Sequence, residues 1–276
     1  MKPASFDYAQ CGNVQEALDL LSQDGDDARV MAGGQSLMAM LNMRLVRPSI
    51  IVDIAGLNEL RYIRESSGFV EIGATTTQAE VEAWSNLKRQ LPLVAAAIPH
   101  IGHFQTRNRG TVCGSLCHAD PSSELPLCLA TLGGEVVLQS RRKKRVVAAE
   151  EFQVALLSTA KRPDELMIAA RYPVAKANFG YAFKEISRRH GDFAIVALAA
   201  VVGGDKIKLG IGGMADKPIV REWDKLDPSK DLPDALNDFA WDLGGSDDIH
   251  ATARYRREMV RRLGKKVIEE ARQCAS

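Results

Sequence analysis

Ala32-Gly33-Gly34-Gln35-Ser36 and Gly110-Thr111-Val112-Cys113-Gly114-Ser115 are two glycine-rich segments of one chain, each with hydroxyl side chains beside its glycines. Glycine lets a backbone turn sharply and approach a ligand, so that successive amides can point at anionic oxygens. One such loop describes many tight turns; two of them predict a single diphosphate-bearing ligand clasped from both sides. Gly33, Gly34 and Gly114 would permit the approach, while Ser36, Thr111 and Ser115 would donate from their hydroxyls. Neither segment has P-loop or Rossmann spacing, and neither holds a lysine, so backbone dipoles would carry most of the anion stabilisation. That both are ordinary turns is the reading the spacing alone leaves open.

The flanking pattern is mixed. Val14, Ala17, Leu18 and Leu21 fall at helical spacing behind Asn13, a fitting N-cap. A turn at 24–27, a short strand at 28–32 leading into the first loop, and a buried strand at 50–54 complete a small α/β lobe of about 55 residues. Residues 62–64 and 69–73 read as paired strands, Thr77 as the cap of a helix carrying Val81 and Trp84, and 92–98 as a further helix. Segments 134–138 and 145–147 form a hairpin whose basic tip, 141–144, is read as solvated. Pro163 and Pro173 bracket a strand at 166–172, and 174–178 is a linker. Beyond it, 181–187, 193–202 and 207–212 predict a three-stranded antiparallel meander. The continuous apolar run of its second strand implies cover on both faces. The last helix is expected to bury Tyr255, Met259, Leu263 and Val267 and to solvate Arg254, Arg257 and Arg261. The class is α+β, with one domain over 1–175 (lobes of about 1–55 and 56–175) and another over 176–276.

Composition narrows the function. A 46% hydrophobic, 26% charged chain of 276 residues is ordinary for a globular protein long enough for two domains. Its 36 basic and 35 acidic residues leave a net charge of +1, without the basic excess that nucleic-acid binding needs. No signal-peptide core opens it and no apolar run approaches a membrane span, so a cytoplasmic chain is expected. Five cysteines, an odd number, are expected to be reduced thiols. No G-x-S-x-G elbow announces a nucleophile.

Val30-Met31-Ala32-Gly33-Gly34-Gln35-Ser36-Leu37, with Arg44-Leu45-Val46-Arg47-Pro48 behind it, resembles the first flavin loop of the molybdenum hydroxylases, the xanthine dehydrogenase and carbon monoxide dehydrogenase relatives. Gly110 to Leu116, running into His118-Ala119-Asp120-Pro121-Ser122-Ser123-Glu124-Leu125-Pro126, resembles the second. The opening Met1-Lys2-Pro3-Ala4-Ser5-Phe6-Asp7-Tyr8, the stretch Phe183-Lys184-Glu185-Ile186-Ser187-Arg188-Arg189-His190-Gly191-Asp192 and Tyr255-Arg256-Arg257 are similar to the family's start, C-terminal domain and final helix. The resemblance covers essentially the whole chain. It implies an FAD-binding medium subunit with a two-lobed, PCMH-type flavin domain and noncovalent FAD. It also implies a small partner subunit carrying two [2Fe-2S] clusters and a large molybdopterin subunit, in a dimer of heterotrimers. Substrate would be oxidised at molybdenum, and electrons would cross the clusters and this FAD to an external acceptor.

Carried over by position, the resemblance implies flavin contacts from Val30, Met31, Ala32, Gly33, Gly34, Gln35, Ser36 and Leu37, and from Thr111, Val112, Cys113, Gly114 and Ser115. It adds Ile101, Asp120, Glu124, Met167, Lys184 and Phe193. Lys184 would stand near the flavin ring and favour its reduced, anionic form. Two positions depart from the family pattern. Cys113 replaces the first glycine of a usual pair, and Phe193 stands where several relatives have tyrosine. Cys113, Cys117, His118 and Cys128 are metal-ligand types, yet they lack knuckle or ferredoxin spacing, and no metal site is expected. Two rivals stay open: a self-contained flavin oxidoreductase binding its own organic substrate, and an interaction module stabilised by metal at those four residues.

Overall fold

The computed structural model describes residues 2–227 and 230–275; Met1 of the opening motif lies outside them. The first lobe contains β1 (Asp7–Gln10), α1 (Val14–Asp24), β2 (Ala28–Met31), α2 (Leu37–Asn42) and β3 (Ile50–Asp53). Its strands form a parallel sheet in the order β1-β3-β2. Asn13 caps α1 by accepting from the Glu16 amide, and Ala17, Leu18 and Leu21 are the face that α1 buries.

The second lobe begins with the hairpin β4 (Ile63–Ser66) and β5 (Phe69–Gly73). Six short helices follow: α3 (Gln78–Glu82), α4 (Leu87–Gln90), α5 (Pro92–Ala97), α6 (Phe104–Arg107), α7 (Val112–His118) and α8 (Glu124–Leu132). Thr77 and Glu80 form a reciprocal capping box at the head of α3. The lobe closes with β6 (Glu135–Gln139), β7 (Lys144–Ala148), α9 (Ala149–Phe152), β8 (Gln153–Ala155), β9 (Ser158–Thr159) and β10 (Leu166–Pro173). Its main sheet runs β4-β5-β10-β6-β7, with β10 antiparallel to both neighbours.

Past residue 178 the chain forms β11 (Phe179–Ile186), β12 (Val196–Gly203), β13 (Lys206–Gly212) and β14 (Ile219–Asp224), an antiparallel meander in that order. The fourth strand extends the three expected. It is an edge strand with no fully buried residue, held by cross-strand pairs such as Lys206 Nζ with Glu222 at 2.8 Å. An edge strand of this kind carries too little apolar alternation to stand out in a sequence.

One face of the meander packs on α5 and α8, the other on α10 (Leu232–Asp242) and α11 (Ala253–Cys274), which explains the unbroken apolar run of β12. A Cβ on Gly180 would lie 1.7 Å from the Ala271 carbonyl oxygen, so α11 rests directly on the β11 backbone. The buried face of α11 is Arg256, Val260, Gly264, Val267, Ile268 and Ala271. This corrects the expected stripe: of its four members only Val267 is buried, while Tyr255 is 42% exposed. Polarity misled, because the buried Arg256 satisfies the Ile195 and Gly213 carbonyls, the latter at 2.8 Å. Arg257 is half-buried, stacked 4.3 Å above the Trp241 ring.

Candidate functional site

The two glycine loops touch. A Cβ on Gly33 would lie 2.0 Å from the Arg109 carbonyl oxygen and 2.9 Å from Gly110 Cα. Only a residue without a side chain lets the first loop seat on the backbone entering the second. That second loop is in turn fastened to the head of α3. Thr77 and Thr111 form a β-bridge, and the Gln78 amide donates to the Gly110 carbonyl at 2.8 Å. Thr111 then caps α7, its Oγ1 accepting from the Gly114 amide at 2.9 Å, which leaves its hydroxyl hydrogen to donate elsewhere. Ser36, at the head of α2, makes no capping bond to its own helix.

Between the loops lies a cleft of about 680 Å³, a volume usual for a small-molecule or cofactor site. Val30, Met31, Ala32, Gly33, Gly34, Gln35, Ser36, Leu37, Ile101, Thr111, Cys113, Gly114, Ser115, Glu124, Met167 and Phe193 all line it. Three expected residues do not. Val112 is fully buried in the core, on the inner side of α7. Asp120 accepts from the Ser122 amide at 2.8 Å and shapes the turn before α8. Lys184 pairs with Glu270 of α11. Strand alternation is the reason: Phe183 and Glu185 face the α5 side of β11, so Lys184 faces the opposite helix.

Cys113 does not crowd the cleft. Its thiol is turned into the sheet, 3.6 Å from the Ile72 carbonyl oxygen, and burial raises its pKa well above the ordinary value. Cys117 sits 3.8 Å from the Met167 sulfur, and Cys128 faces the Leu93 carbonyl. Among the described residues no three His, Cys, Asp or Glu side chains converge as a metal site. Phe193 is 67% exposed at the mouth. Its loop reaches the second lobe through Gly191, where a Cβ would lie 2.8 Å from the Gly102 carbonyl.

Three residues that carried no signal in the sequence shape the site. Gln78 is buried against the second loop, and its Oε1 has no hydrogen-bond partner in the protein. Lys161 lines the cleft with its ammonium on the Arg162 and Glu165 carbonyls, each at 3.0 Å, and burial lowers its pKa. Arg107 holds the cleft-lining Ile101 carbonyl at 3.1 Å. The position of Gln78, directly after the capping Thr77, is the one hint among them; the bonds of Lys161 and Arg107 are local in sequence, and it is the fold that brings them to the cleft.

This arrangement is fitted to FAD. Glycine loops in mutual contact and free hydroxyls suit a diphosphate, Ile101, Met167, Leu37 and Phe193 offer apolar wall to a ring, and Gln78 Oε1 is a buried acceptor awaiting a donor. The fold and cleft define a protein built to hold a diphosphate-bearing cofactor. A family model described as the FAD binding domain in molybdopterin dehydrogenase matches residues 4–175. The 6-hydroxypseudooxynicotine dehydrogenase complex subunit alpha of Paenarthrobacter nicotinovorans is 36% identical over 98% of this chain and 96% of its own length. The carbon monoxide dehydrogenase medium chain of Afipia carboxidovorans is 32% identical over 99% and 98%. Among solved structures, a Cu,Mo-CO dehydrogenase chain superposes with a TM-score of 0.92 at 31% identity, over 99% of both chains. Quinoline 2-oxidoreductase from Pseudomonas putida 86 gives 0.91 at 30%, over 100% of this chain and 99% of that one. The chain belongs to this family and is an FAD-binding medium subunit of a multisubunit molybdenum hydroxylase, an oxidoreductase component dependent on partner subunits. Among the described residues no helix is long and apolar enough to cross a membrane.

Proposed function

We propose that this subunit, in the cytoplasm, receives electrons at FAD from a small partner carrying two [2Fe-2S] clusters and passes them to an external acceptor. A large molybdopterin partner oxidises the substrate, and the complex is a dimer of heterotrimers. Residues 1–175 act as the flavin domain and 176–276 as a C-terminal domain that closes its mouth with the Phe193 loop. FAD supplies the two-electron chemistry; the protein binds it, orients it and shields it from water. The two loops take the diphosphate with the Ser36, Thr111 and Ser115 hydroxyls, Gln78 accepts a donor of the cofactor, and Ile101 and Met167 pack against it. The observation that carries this reading is the direct seating of Gly33 on Arg109 and Gly110, which makes one ligand cradle from two distant loops.

The test is the chromophore released on denaturing the purified chain, expected to be FAD at about one per chain. FMN, no flavin, or flavin left covalently on His118 would overturn it. Substrates of the complex should bleach the flavin only when both partner subunits are present; rapid bleaching of the isolated chain would favour the self-contained oxidoreductase.

A further inference from the structure

Where β11 of the C-terminal domain meets the flavin domain, two ionisable groups are paired and a third stands near enough to feel their charges. Glu185 of β11 is paired with His100, Nδ1 to Oε1 at 3.4 Å, and its side chain is only 2% exposed. Its other oxygen, Oε2, is buried with no hydrogen-bond partner. Glu124, at the start of α8, is 7% exposed and lines the flavin cleft. Burial pushes its carboxyl up to about 7, with the charges of Glu185 and Asp120 acting in the same direction and that of His100 against it. The hydrogen bond to Glu185 in turn holds His100 above its usual value.

The other charges nearby are engaged elsewhere: of the cations lining the cleft, Lys161 rests on the Arg162 and Glu165 carbonyls and Arg29 on those of Asp26 and Ala28. Strand β12 and helix α5, both packed on β11, contain no ionisable residue. Lys184 and Glu270 pair on the far face of β11, and Arg107 is committed to Glu82 at 2.8 Å. Lys206 and Lys208 of β13 pair with Glu222, and Arg221 of β14 with Asp242. The approach from solvent is lined by imidazoles. The His190 ring lies 6.2 Å from His100 and 6.4 Å from His103, and both outer histidines are exposed.

We propose that Glu124, in the wall of the flavin cleft, forms with the Glu185–His100 pair a proton-holding site, which takes up one proton from solvent for each electron pair delivered to the bound flavin. The inference rests on the flavin reading above. Negative charge arriving beside Glu124 favours the neutral carboxyl, because two like charges in a poorly solvated wall repel. The balance is two electrons from two one-electron oxidations of the partner's [2Fe-2S] clusters, one proton to the flavin and one to the cluster around Glu124. The bond formed on the cluster is a carboxyl O–H, and the bond broken is an O–H of solvent. His190, His103 and His100 give the proton an entry along the domain seam, apart from the open mouth of the cleft.

Potentiometry of the FAD-loaded chain tests this above neutral pH. A two-electron couple taking two protons has about twice the pH slope of one taking a single proton. Wild type should show the steeper slope and Glu124→Gln, loaded to the same flavin content with excess FAD, about half of it. Glu185→Gln should move the break in slope to lower pH. Independently of any variant, reducing the wild-type chain coulometrically through a viologen, with a pH indicator in weak buffer, should consume more than one proton per electron pair. A count of one, or equal slopes in wild type and Glu124→Gln, would overturn the proposal while leaving FAD binding intact. A chain that binds no flavin would overturn both.

Discussion

Gly33 and Gly34 are adjacent and alike in sequence, yet they are glycines for different reasons. A Cβ at Gly33 meets the Arg109 carbonyl, whereas Gly34 has a positive φ of 69° and only side-chain atoms 3.4 Å or more away. Gly33→Ala should therefore spread the loops; overpacking of this kind costs ~1–3 kcal/mol, which, taken from binding, corresponds to about five- to 150-fold in FAD affinity. Flavin titration with circular dichroism checks it, and full affinity in a folded variant would refute the seating. Glu124 yields a pH prediction. Its folded pKa of about 7 exceeds the 4.5 of an ordinary glutamate, so the folded state binds the proton more tightly than the unfolded one. The associated stability is complete below the unfolded value and is lost as pH rises through the folded one. The loss is of order 3 kcal/mol, and Glu124→Gln should abolish it in denaturant titrations of the apoprotein across that window. Lys184, paired with Glu270 at a partly exposed site, should behave as a surface ion pair. Lys184→Met is expected to cost less than about 1 kcal/mol and to leave the flavin potential where it was.

Helix α11 shows what a sequence pattern can hide. The helix itself was plain, and so were the caps at Asn13 and Thr77, the linker and the core strands, because each follows from local chemistry: a side chain that accepts an amide, a proline that stops a ladder, an apolar run that must be covered. Its face was not, because Arg256 counts as polar in any periodicity yet is 4% exposed, bonded to two carbonyls and to Asp248. Strand β14 was hidden for the opposite reason, burying too little to leave a pattern. In the candidate site, loop glycines and hydroxyls were legible, whereas Gln78 and Lys161 gain their meaning from crossings made only in three dimensions. Lys184 misled because its motif names the strand but not which face of it the side chain takes. Arg256→Met should be among the most destabilising changes in the chain. It strands the Ile195 and Gly213 carbonyls, and each buried acceptor left without a donor costs about 1–3 kcal/mol, whereas Asp248, 41% exposed, returns to water. Equilibrium denaturation measures it; a cost below about 1 kcal/mol would mean that water reaches those carbonyls.

The chain is held together by α8, which belongs to both halves. Seven of its nine residues are buried, and it packs simultaneously under β10 of the flavin sheet and against β12 and β13 of the meander. Its first residue, Glu124, stands in the cleft wall, and its next-to-last, Thr131, is fully buried against the other domain. There the fit is close: a Cβ on Gly210 of β13 would lie 2.0 Å from Thr131 Oγ1 and 2.9 Å from Leu127 Cδ1. The cleft and the domain seam should consequently not be independent. Gly210→Ala is expected to lift the meander off α8, lower the Tm, and split a single calorimetric transition into two as the halves lose their common core. Thr131→Ala removes the atom in closest conflict, so the double variant should recover part of the loss, with a coupling of about 0.5–3 kcal/mol in the double-mutant cycle. FAD affinity, measured on the same four proteins, should fall and recover in parallel, since a displaced α8 carries Glu124 with it. If stability follows the cycle while FAD affinity stays constant, the seam and the cleft are separate, and closure of the mouth by the Phe193 loop owes nothing to this helix.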